Sequence, residues 1–447
     1  MPSLYIVIAV DTEGPLTETL KDTFQRINDY FGIKINPSIK NLKKLQNSNY
    51  KIPKNDKQKI KEILNPHFLN THKNWKELNN QIKLIFSKKF RKNYTDNANQ
   101  EIIFDWYCLD HINFKTNPRK RDIGHHKVYD KYFTHINKND FGDQIQWHFH
   151  PIPFNLKANS TGNNINFTSS HIEILTRKII DRNWFPSSFR PTSSIRTDLN
   201  LFLEQWIPFD LSNSNIKNYE TQQKKSSRIT SVYGLDNDSR GAPTDWSIYN
   251  PDVLDTRKKG ILKRYIGRCL NVISYNLAIN EKEVISAFQR SKKHNTLLSV
   301  TLHDFRNIEN EVNRLYEIVK KVAYQFPNQK FYWSNTVNAF RNCIGLKKQS
   351  ISAKINISSN ILYINSKNKI WGIQPFLAIQ TKKNEYIHDN LIPDSETKWR
   401  YSFDKETIEL KDIKKIGIAF NNLYGSTIVY VADVTKKEFK WKINKYN

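Results

Sequence analysis

The sequence has little cysteine and no long hydrophobic segment. Only three cysteines occur among 447 residues, Cys108, Cys269 and Cys343, and they are widely separated and odd in number. This pattern excludes a disulfide framework and argues against a thiolate zinc site. No apolar run approaches the ~20 residues that a bilayer-spanning helix requires. We therefore expect a protein without a membrane span that works in a reducing compartment.

The N-terminus also lacks the marks of an export signal. It starts Met1-Pro2-Ser3-Leu4 and continues into Tyr5–Val10, without a basic start, an extended apolar centre or a small-residue cleavage site. Export is therefore not expected, and together with the scarce cysteines this favours a cytoplasmic location.

Acidic residues are outnumbered by basic ones, and the formal net charge is +27. Clustered Lys and Arg would indicate nucleic-acid binding, because they release counterions from a phosphate backbone. Here the basic residues are dispersed, and Lys-rich stretches such as Lys54–Lys61 accompany abundant Asn and Ile along the whole chain. We therefore expect no nucleic-acid partner. The net positive charge would instead increase the association rate of an acidic polysaccharide or a nucleotide-linked sugar.

Strand patterns alternate with helical patterns over most of the chain. Tyr5–Val10, Gln144–Trp147 and Leu297–Leu302 are predicted strands. The most regular predicted helix carries on one face Ile308, Val312, Leu315, Val319, Val322 and Phe326. This alternation predicts an α/β fold with a parallel sheet, although it does not distinguish a closed barrel from an open sheet.

Two regions depart from the alternation. Residues from about 33 to 100 are rich in Lys and Asn and show only short helical patterns, so we interpret them as a helical insertion. After residue 348 the chain consists of short alternating segments separated by turn residues, a spacing that suits a β-sandwich. The predicted domains are therefore an α/β domain over 1–347 and a β-sandwich-like domain over 348–447.

Polar residues stand directly after several of the predicted strands, namely Asp11, His148, Arg190 and His303. Functional sites are built at the carboxyl ends of the strands in α/β barrels and open sheets alike. We therefore expect these four side chains to meet.

Two of these positions belong to pairs with a spacing of two, which puts both side chains on one face of an extended segment. In Asp11-Thr12-Glu13 one carboxylate could hold a divalent metal while the other takes a proton; the alternative is a loop-capping Asp followed by a solvated Glu. His148 and His150 could supply two metal ligands. Their alternative is a pair of buried, hydrogen-bonded histidines.

The remaining candidates also allow two interpretations each. Arg190 could grip a carboxylate with its bidentate fork and lower the pKa of that carboxylate, or form a surface ion pair. Asp304 could orient His303 or cap the following helix. Asp245-Trp246 offers an acid and an aromatic wall, or a turn Asp beside a core Trp.

In this order the motifs resemble those of the polysaccharide deacetylase superfamily, also called carbohydrate esterase family 4. The segments that carry the resemblance are Val10–Gly14, Gln144–Pro151, Phe189–Pro191, Asp245-Trp246 and Leu302-His303. The resemblance spans about residues 5 to 340 and does not cover the C-terminal β-rich part. It implies a distorted (β/α) barrel.

Position by position, the resemblance also implies roles. Asp11 matches the base, Glu13 the metal carboxylate, His148 the first histidine ligand, Arg190 the residue that orients the base, and His303 the acid.

The motifs depart from the family pattern at two ligands. The usual Asp-Asp-Gly is Asp-Thr-Glu-Gly here, and the second family histidine would fall at Ile152, so His150 would have to replace it.

Trp246 lies in the pocket-wall motif. The predicted substrate-binding residues are Trp147, Asp245, Trp246 and Asp304.

The resemblance thus implies a metal-dependent hydrolase that removes an acetyl group from an N-acetylated sugar in surface polysaccharide metabolism. Zinc is the first expected ion, since His and carboxylate ligands suit it. Two alternatives stay open: cleavage of another C–N bond, as in a cyclic amide, on the same barrel, and a non-catalytic carbohydrate-binding descendant. The sequence leaves the oligomeric state open.

Overall fold

Seven parallel strands close into a barrel in the computed structural model, which describes residues 1–157, 162, 164–191, 197–216, 239, 241–273, 278–436, 438 and 440–447. Neighbours in the barrel follow chain order, and β1 pairs with both β2 and β7. The strands are β1 (Leu4–Thr12), β2 (Asp105–Cys108), β3 (Gln144–Phe149), β4 (Ser188–Pro191), β5 (Phe209–Asn213), β6 (Tyr265–Asn271) and β7 (Thr296–His303).

An eighth strand distorts the ring. β8 (Phe331–Trp333) pairs in parallel with the first three residues of β1, whereas β2 pairs with the last four. The predicted (β/α) barrel is confirmed, and its distortion arises because β1 is longer than β2 and shares its edge between two partners.

The barrel strands divide their side chains between two cores. In β1, Val7 and Ala9 belong to the apolar cluster inside the barrel, while Ile8 and Val10 pack outward against the helices. Because successive side chains of a strand alternate between faces, the same parity points Asp11 inward, at the carboxyl end of the barrel.

Helices surround the barrel, and several of them lie between β1 and β2, where the insertion was predicted. The described helices are α1 (Leu20–Phe31), α2 (Ile39–Gln46), α3 (Lys54–Ile63), α4 (Pro66–Leu69), α5 (Trp75–Ile85), α6 (Lys88–Arg91), α7 (Lys127–Lys138), α8 (Ser170–Arg182), α9 (Thr197–Trp206), α10 (Glu281–Ser291), α11 (Ile308–Gln325) and α12 (Thr336–Ile344). None of those within the described ranges is long and apolar enough to cross a membrane.

The most regular predicted helix is confirmed as α11. It begins after Asn307, whose side chain accepts a hydrogen bond from the backbone N–H of Asn310, so one of the orphan donors of the first turn is satisfied. Val312, Leu315 and Val319 are fully buried along its inner face. The helix therefore packs the outer side of the barrel at the strand that carries His303.

The C-terminal residues form two antiparallel sheets, as predicted. One has the order β13-β14-β10-β9 and the other the order β12-β11-β15-β16-β17. The strands are β9 (Ala353–Ser358), β10 (Ile361–Ser366), β11 (Phe376–Thr381), β12 (Tyr386–Asp389), β13 (Ile392–Ser395), β14 (Lys398–Ser402), β15 (Ile413–Asn421), β16 (Thr427–Asp433) and β17 (Lys442–Tyr446). An apolar cluster that draws residues from both sheets, among them Leu362, Trp399 and Ile418, lies between them.

The second sheet packs with its other face on the barrel domain. Phe376 and Val429 of that sheet join the outer core of the barrel, and α8 lies directly against β15. At Gly417 a Cβ atom would come within 2.5 Å of the Ile179 side chain, so only glycine allows this approach. The Asn421 side chain donates hydrogen bonds to the backbone oxygens of Pro186 and Trp206.

Candidate functional site

Four strand ends bring the predicted polar side chains together. In the register of the sheet, Asp11 lies opposite His303 and His148 lies opposite Arg190. Arg190 reaches across the barrel mouth to Asp11, donating from Nε to Oδ1 at 2.6 Å and from Nη2 to Oδ2 at 2.8 Å. The structure brings these four side chains together at the barrel mouth, and Arg190 makes the bidentate grip that was one of its two interpretations.

Asp11 is held in its ionised form. Burial alone would raise the pKa of this carboxyl, but the charge and hydrogen bonds of Arg190, with smaller contributions from His148 and His303, lower the pKa below its ordinary value. Arg190 also donates from Nη1 to the backbone oxygen of Leu211, which fixes the guanidinium in the barrel mouth.

His148 and His150 form a close pair. The Nδ1 atom of His148 lies 2.7 Å from the backbone oxygen of Arg190, and because a carbonyl only accepts, this nitrogen carries the proton. The Nε2 lone pair of His148 is then free and faces Nε2 of His150 at 2.9 Å. Histidines that bind metals are commonly held by such a hydrogen bond, in which a backbone carbonyl fixes the tautomer of the ring.

Glu13 completes a three-ligand group with these histidines. One ligand atom from each of Glu13, His148 and His150 lies within 4.8 Å of the others. A carboxylate with two imidazoles is one of the three-ligand sets used by catalytic zinc sites, so the donor set fits a divalent ion. Burial, followed by the nearby charges of His148 and Arg121, lowers the pKa of His150 well below its usual value, which keeps this ring neutral and able to act as a ligand.

The loop that carries Glu13 is clamped from behind by Asp304. The Asp304 carboxyl accepts from the backbone N–H groups of Glu13 and Gly14, both at 2.9 Å, and from the Tyr132 hydroxyl at 2.9 Å. Burial raises the pKa of Asp304 to about 7, although the two backbone hydrogen bonds oppose the rise. Gly14 has a φ of +75°, and a Cβ there would lie 3.2 Å from Trp75, so the loop requires glycine at this position.

His303 is close to Asp11 but has a cationic neighbour. Its Nε2 lies 3.8 Å from Asp11 Oδ2, while its Nδ1 accepts a hydrogen bond from Arg306 Nη2 at 2.6 Å. The proton of the neutral ring therefore sits on Nε2, facing Asp11. Burial, followed by the charge of Arg306, lowers the pKa of His303 well below its usual value.

Comparisons with known proteins add little to this geometry. No protein-family profile matches the chain, and no curated protein matches its sequence. One solved structure that matches is a crystal structure from Parabacteroides distasonis, of a protein described provisionally as a glycoside hydrolase/deacetylase. The match covers 100% of this chain and 85% of that one, at 10% sequence identity and a TM-score of 0.34. Resemblance at this level supports no further conclusion.

The predicted substrate-binding residues lie elsewhere. Trp147 points away from the barrel interior and packs with Phe189 in the outer core. Trp246 is fully buried and donates from Nε1 to the backbone oxygen of Glu283, which is the core interpretation of this Trp. Asp245 is exposed and pairs with Arg290 at 3.3 Å. Asp304 is fully buried behind the Glu13 loop, so none of the four forms part of the side-chain cluster.

Three residues of the site were not singled out in the sequence. Arg121 pairs with the Glu13 carboxylate, His111 lies 3.2 Å from the backbone oxygen of Glu13 through Nε2, and Arg306 contacts His303. His111 and Arg121 follow β2, and Arg306 follows β7. The strand-end rule that found the other residues therefore also covers these segments, but the Arg-rich loop at 115–124 resembles an ordinary polar turn.

Proposed function

We propose that the protein is a metal-dependent hydrolase that removes the acetyl group from an N-acetylated sugar in surface polysaccharide metabolism. The observation that carries the proposal is the adjacency of two groups at the barrel mouth. One is the ligand set of Glu13, His148 and His150, and the other is the ionised Asp11 gripped by Arg190. A metal-ligand group beside a fixed base is the arrangement that metal-assisted hydrolysis of an amide uses.

Glu13, His148 and His150 would hold a divalent ion, with zinc the first choice. A bound ion would polarise the acetyl carbonyl and lower the pKa of the attacking water. Glu13 is positioned for this role by the Asp304 clamp on its backbone, and His148 by the hydrogen bond from its Nδ1 to Arg190. The three side chains therefore come from the carboxyl ends of two strands, β1 and β3, and each strand end is fixed by buried hydrogen bonds.

Asp11 acts as the general base. Water adds to the acetyl carbonyl carbon, and the proton it loses passes to the Asp11 carboxylate. Arg190 keeps that carboxylate ionised before the step and holds it in one orientation, so that it faces the reacting water rather than rotating.

His303 supplies the proton that the amine takes up as the C–N bond breaks. In the arrangement described, its single proton is on Nε2 and its Nδ1 is bonded to Arg306. For His303 to donate as an imidazolium, Arg306 must release Nδ1 so that this nitrogen can be protonated. Protonation of the amine by His303 therefore depends on a movement of Arg306. A histidine without such a neighbour could act as the acid directly.

The test uses acetate release from N-acetylated oligosaccharides by the purified, zinc-loaded protein. Asp11→Asn should reduce turnover by at least about a hundredfold, because general-base catalysis contributes roughly 10²–10⁴ in rate. The same variant should still bind zinc, since Asp11 lies outside the ligand group. Asp122→Asn removes an equal charge from the adjacent loop and should keep full turnover.

Two results would contradict the proposal. Metal-free protein that releases acetate at the full rate would exclude the ligand group from the chemistry. Zinc-loaded protein that binds oligosaccharides without releasing acetate would favour the non-catalytic alternative instead.

A further inference from the structure

Arg121 lies beside the ligand group, and the proposed reaction gives it no role. It is on the loop that follows β2, its side chain is 6% exposed, and its Nη1 donates to Glu13 Oε2. The same nitrogen is 3.5 Å from Nε2 of His111, and the guanidinium carbon lies 5.9 Å from the centre of the Phe305 ring. Arg121 therefore occupies a buried wall of the site.

The other edge of this guanidinium makes no hydrogen bond to any residue that the structure describes. The side-chain hydrogen bonds that Arg121 makes with the described residues all use Nη1. Its Nε is buried and has no acceptor in the described parts of the chain. Nε and Nη2 together form the side-on fork that grips a carboxylate or phosphate with two parallel hydrogen bonds, and Arg190 uses this same edge on Asp11.

The charge around Arg121 also favours an anion. Glu13 is the acid that pairs with Arg121, and in the proposed function that carboxylate is shared with a divalent ion. A buried N–H without an acceptor destabilises the protein, and an oxygen of a bound ligand would remove this cost by accepting its hydrogen bond.

We propose that the Nε–Nη2 edge of Arg121 binds an oxyanion substituent of the substrate, so that the preferred substrate is an acidic N-acetylated sugar. The inference rests on the proposed function for the acetyl group but concerns a different part of the sugar. Two sources share this chemistry, the carboxylate of a uronic acid and the phosphate of a phosphorylated sugar.

Calorimetric titration separates these sources without requiring turnover. The probes are N-acetylglucosaminuronic acid, N-acetylglucosamine 6-phosphate and uncharged N-acetylglucosamine, each titrated into the full-length zinc-loaded protein. At least one acidic probe should bind about tenfold or more tightly than the uncharged one, since hydrogen bonds to charged groups contribute about 1.5–3 kcal/mol. The acidic probe that shows the preference identifies the carboxylate or the phosphate as the group bound.

Arg121→Gln should abolish the preference, so that the acidic and uncharged probes bind with similar affinity. Arg119→Gln, two residues earlier on the same loop, removes the same charge and should keep the preference. Arg121→Lys is the second variant if the Gln variant does not fold. Its single ammonium cannot serve Glu13 and a second oxyanion in fork geometry, so it too should lose most of the preference.

The inference is overturned if wild type binds all three probes equally, if Arg121→Gln keeps the preference, or if Arg119→Gln loses it as fully as Arg121→Gln. The last result would show that the preference arises from the overall positive charge of the protein and not from the hydrogen bonds of Arg121. Failure of the proposed function is seen separately, as the absence of acetate release from every probe while the Arg121-dependent preference remains.

Discussion

Replacing Arg190 by glutamine removes the cation that keeps Asp11 ionised. The carboxylate is 3% exposed and accepts two hydrogen bonds from Arg190, so after the substitution it is buried with its main counter-charge gone. Burial then dominates and raises the pKa of Asp11, in place of the lowered pKa of the wild type.

Two other buried carboxyls of this protein indicate how far the pKa of Asp11 should rise in Arg190→Gln. Asp304 and Asp105 are both buried, both accept hydrogen bonds from backbone N–H groups, and neither pairs with a guanidinium in the described structure. Their pKa values are raised to about 7. We expect Asp11 in Arg190→Gln to titrate in the same region, about three units above an unperturbed Asp, which corresponds to roughly 4 kcal/mol between its two protonation states.

The assay is the pH dependence of acetate release between pH 4 and pH 9. In wild type the lowered pKa of Asp11 leaves the base ionised across this range, so Asp11 causes no acidic loss above pH 5. In Arg190→Gln the activity that remains should fall as the pH decreases through about 7. An acidic limb at the same pH in both proteins would refute this account of Asp11.

Stability provides a second readout that does not depend on turnover. In wild type the stabilising contribution of Asp11 is present above the unfolded pKa of about 3.9 and is lost as the pH falls through its lower folded pKa. In the variant the folded pKa is above the unfolded one, so the contribution reverses and stability is lost as the pH rises from about 4 to 7. The difference in unfolding free energy between the two proteins should therefore grow over that window.

Three further predictions follow from particular contacts. His150→Ala should lower zinc affinity at least tenfold in a competition titration with a chelator, because it removes one of the three proposed ligands; unchanged affinity would exclude His150 from the site. The double variant Arg306→Gln/Glu311→Gln removes the cation beside His303 together with its buried partner, so the His303 pKa should rise and the alkaline limb of activity should move to higher pH; an unmoved limb would show that Arg306 does not control this ring. Gly417→Val should destabilise the protein by roughly 1–3 kcal/mol in thermal unfolding, because the new side chain meets Ile179; an unchanged melting temperature would contradict the close packing of β15 on α8.

The strands and helices of the barrel were predictable because the spacing of apolar residues distinguishes strands from helices. β1 is a nearly continuous apolar run and β7 is mostly apolar, since both faces of each strand are buried, and α11 shows one apolar face over its whole length. Periodicity alone left barrel and open sheet undecided. That distinction depends on β1 pairing with both β2 and β7, a contact between distant segments that no local pattern encodes.

The site was predictable where a side chain follows a strand directly. The parity of β1 that points Val7 and Ala9 inward also points Asp11 inward, and the same reasoning holds for His148 and Arg190. The predicted substrate contact of Trp147 does not follow this rule. Because His148 points inward, its neighbour Trp147 points outward into the helix layer. This alternation was visible in the sequence and argues against a substrate contact by Trp147.

Arg121 and Arg306 could not be assigned from the sequence for a different reason. Each lies in a loop, and its partner, Glu13 or His303, is identified only once the loop is folded over the barrel mouth. Trp246 is likewise buried in the core, where its indole N–H donates to the backbone oxygen of Glu283, a residue distant in the sequence. Contacts of this kind depend on tertiary structure and leave no local signature.

The ligand group is the central claim, and anomalous scattering from crystals grown with zinc tests it most directly. The account predicts one anomalous peak per chain, at about 2.0–2.2 Å from an oxygen of Glu13 and from a ring nitrogen of each of His148 and His150. A crystal in which zinc is absent from these three residues, while His148 still makes its close contact with His150, would contradict it.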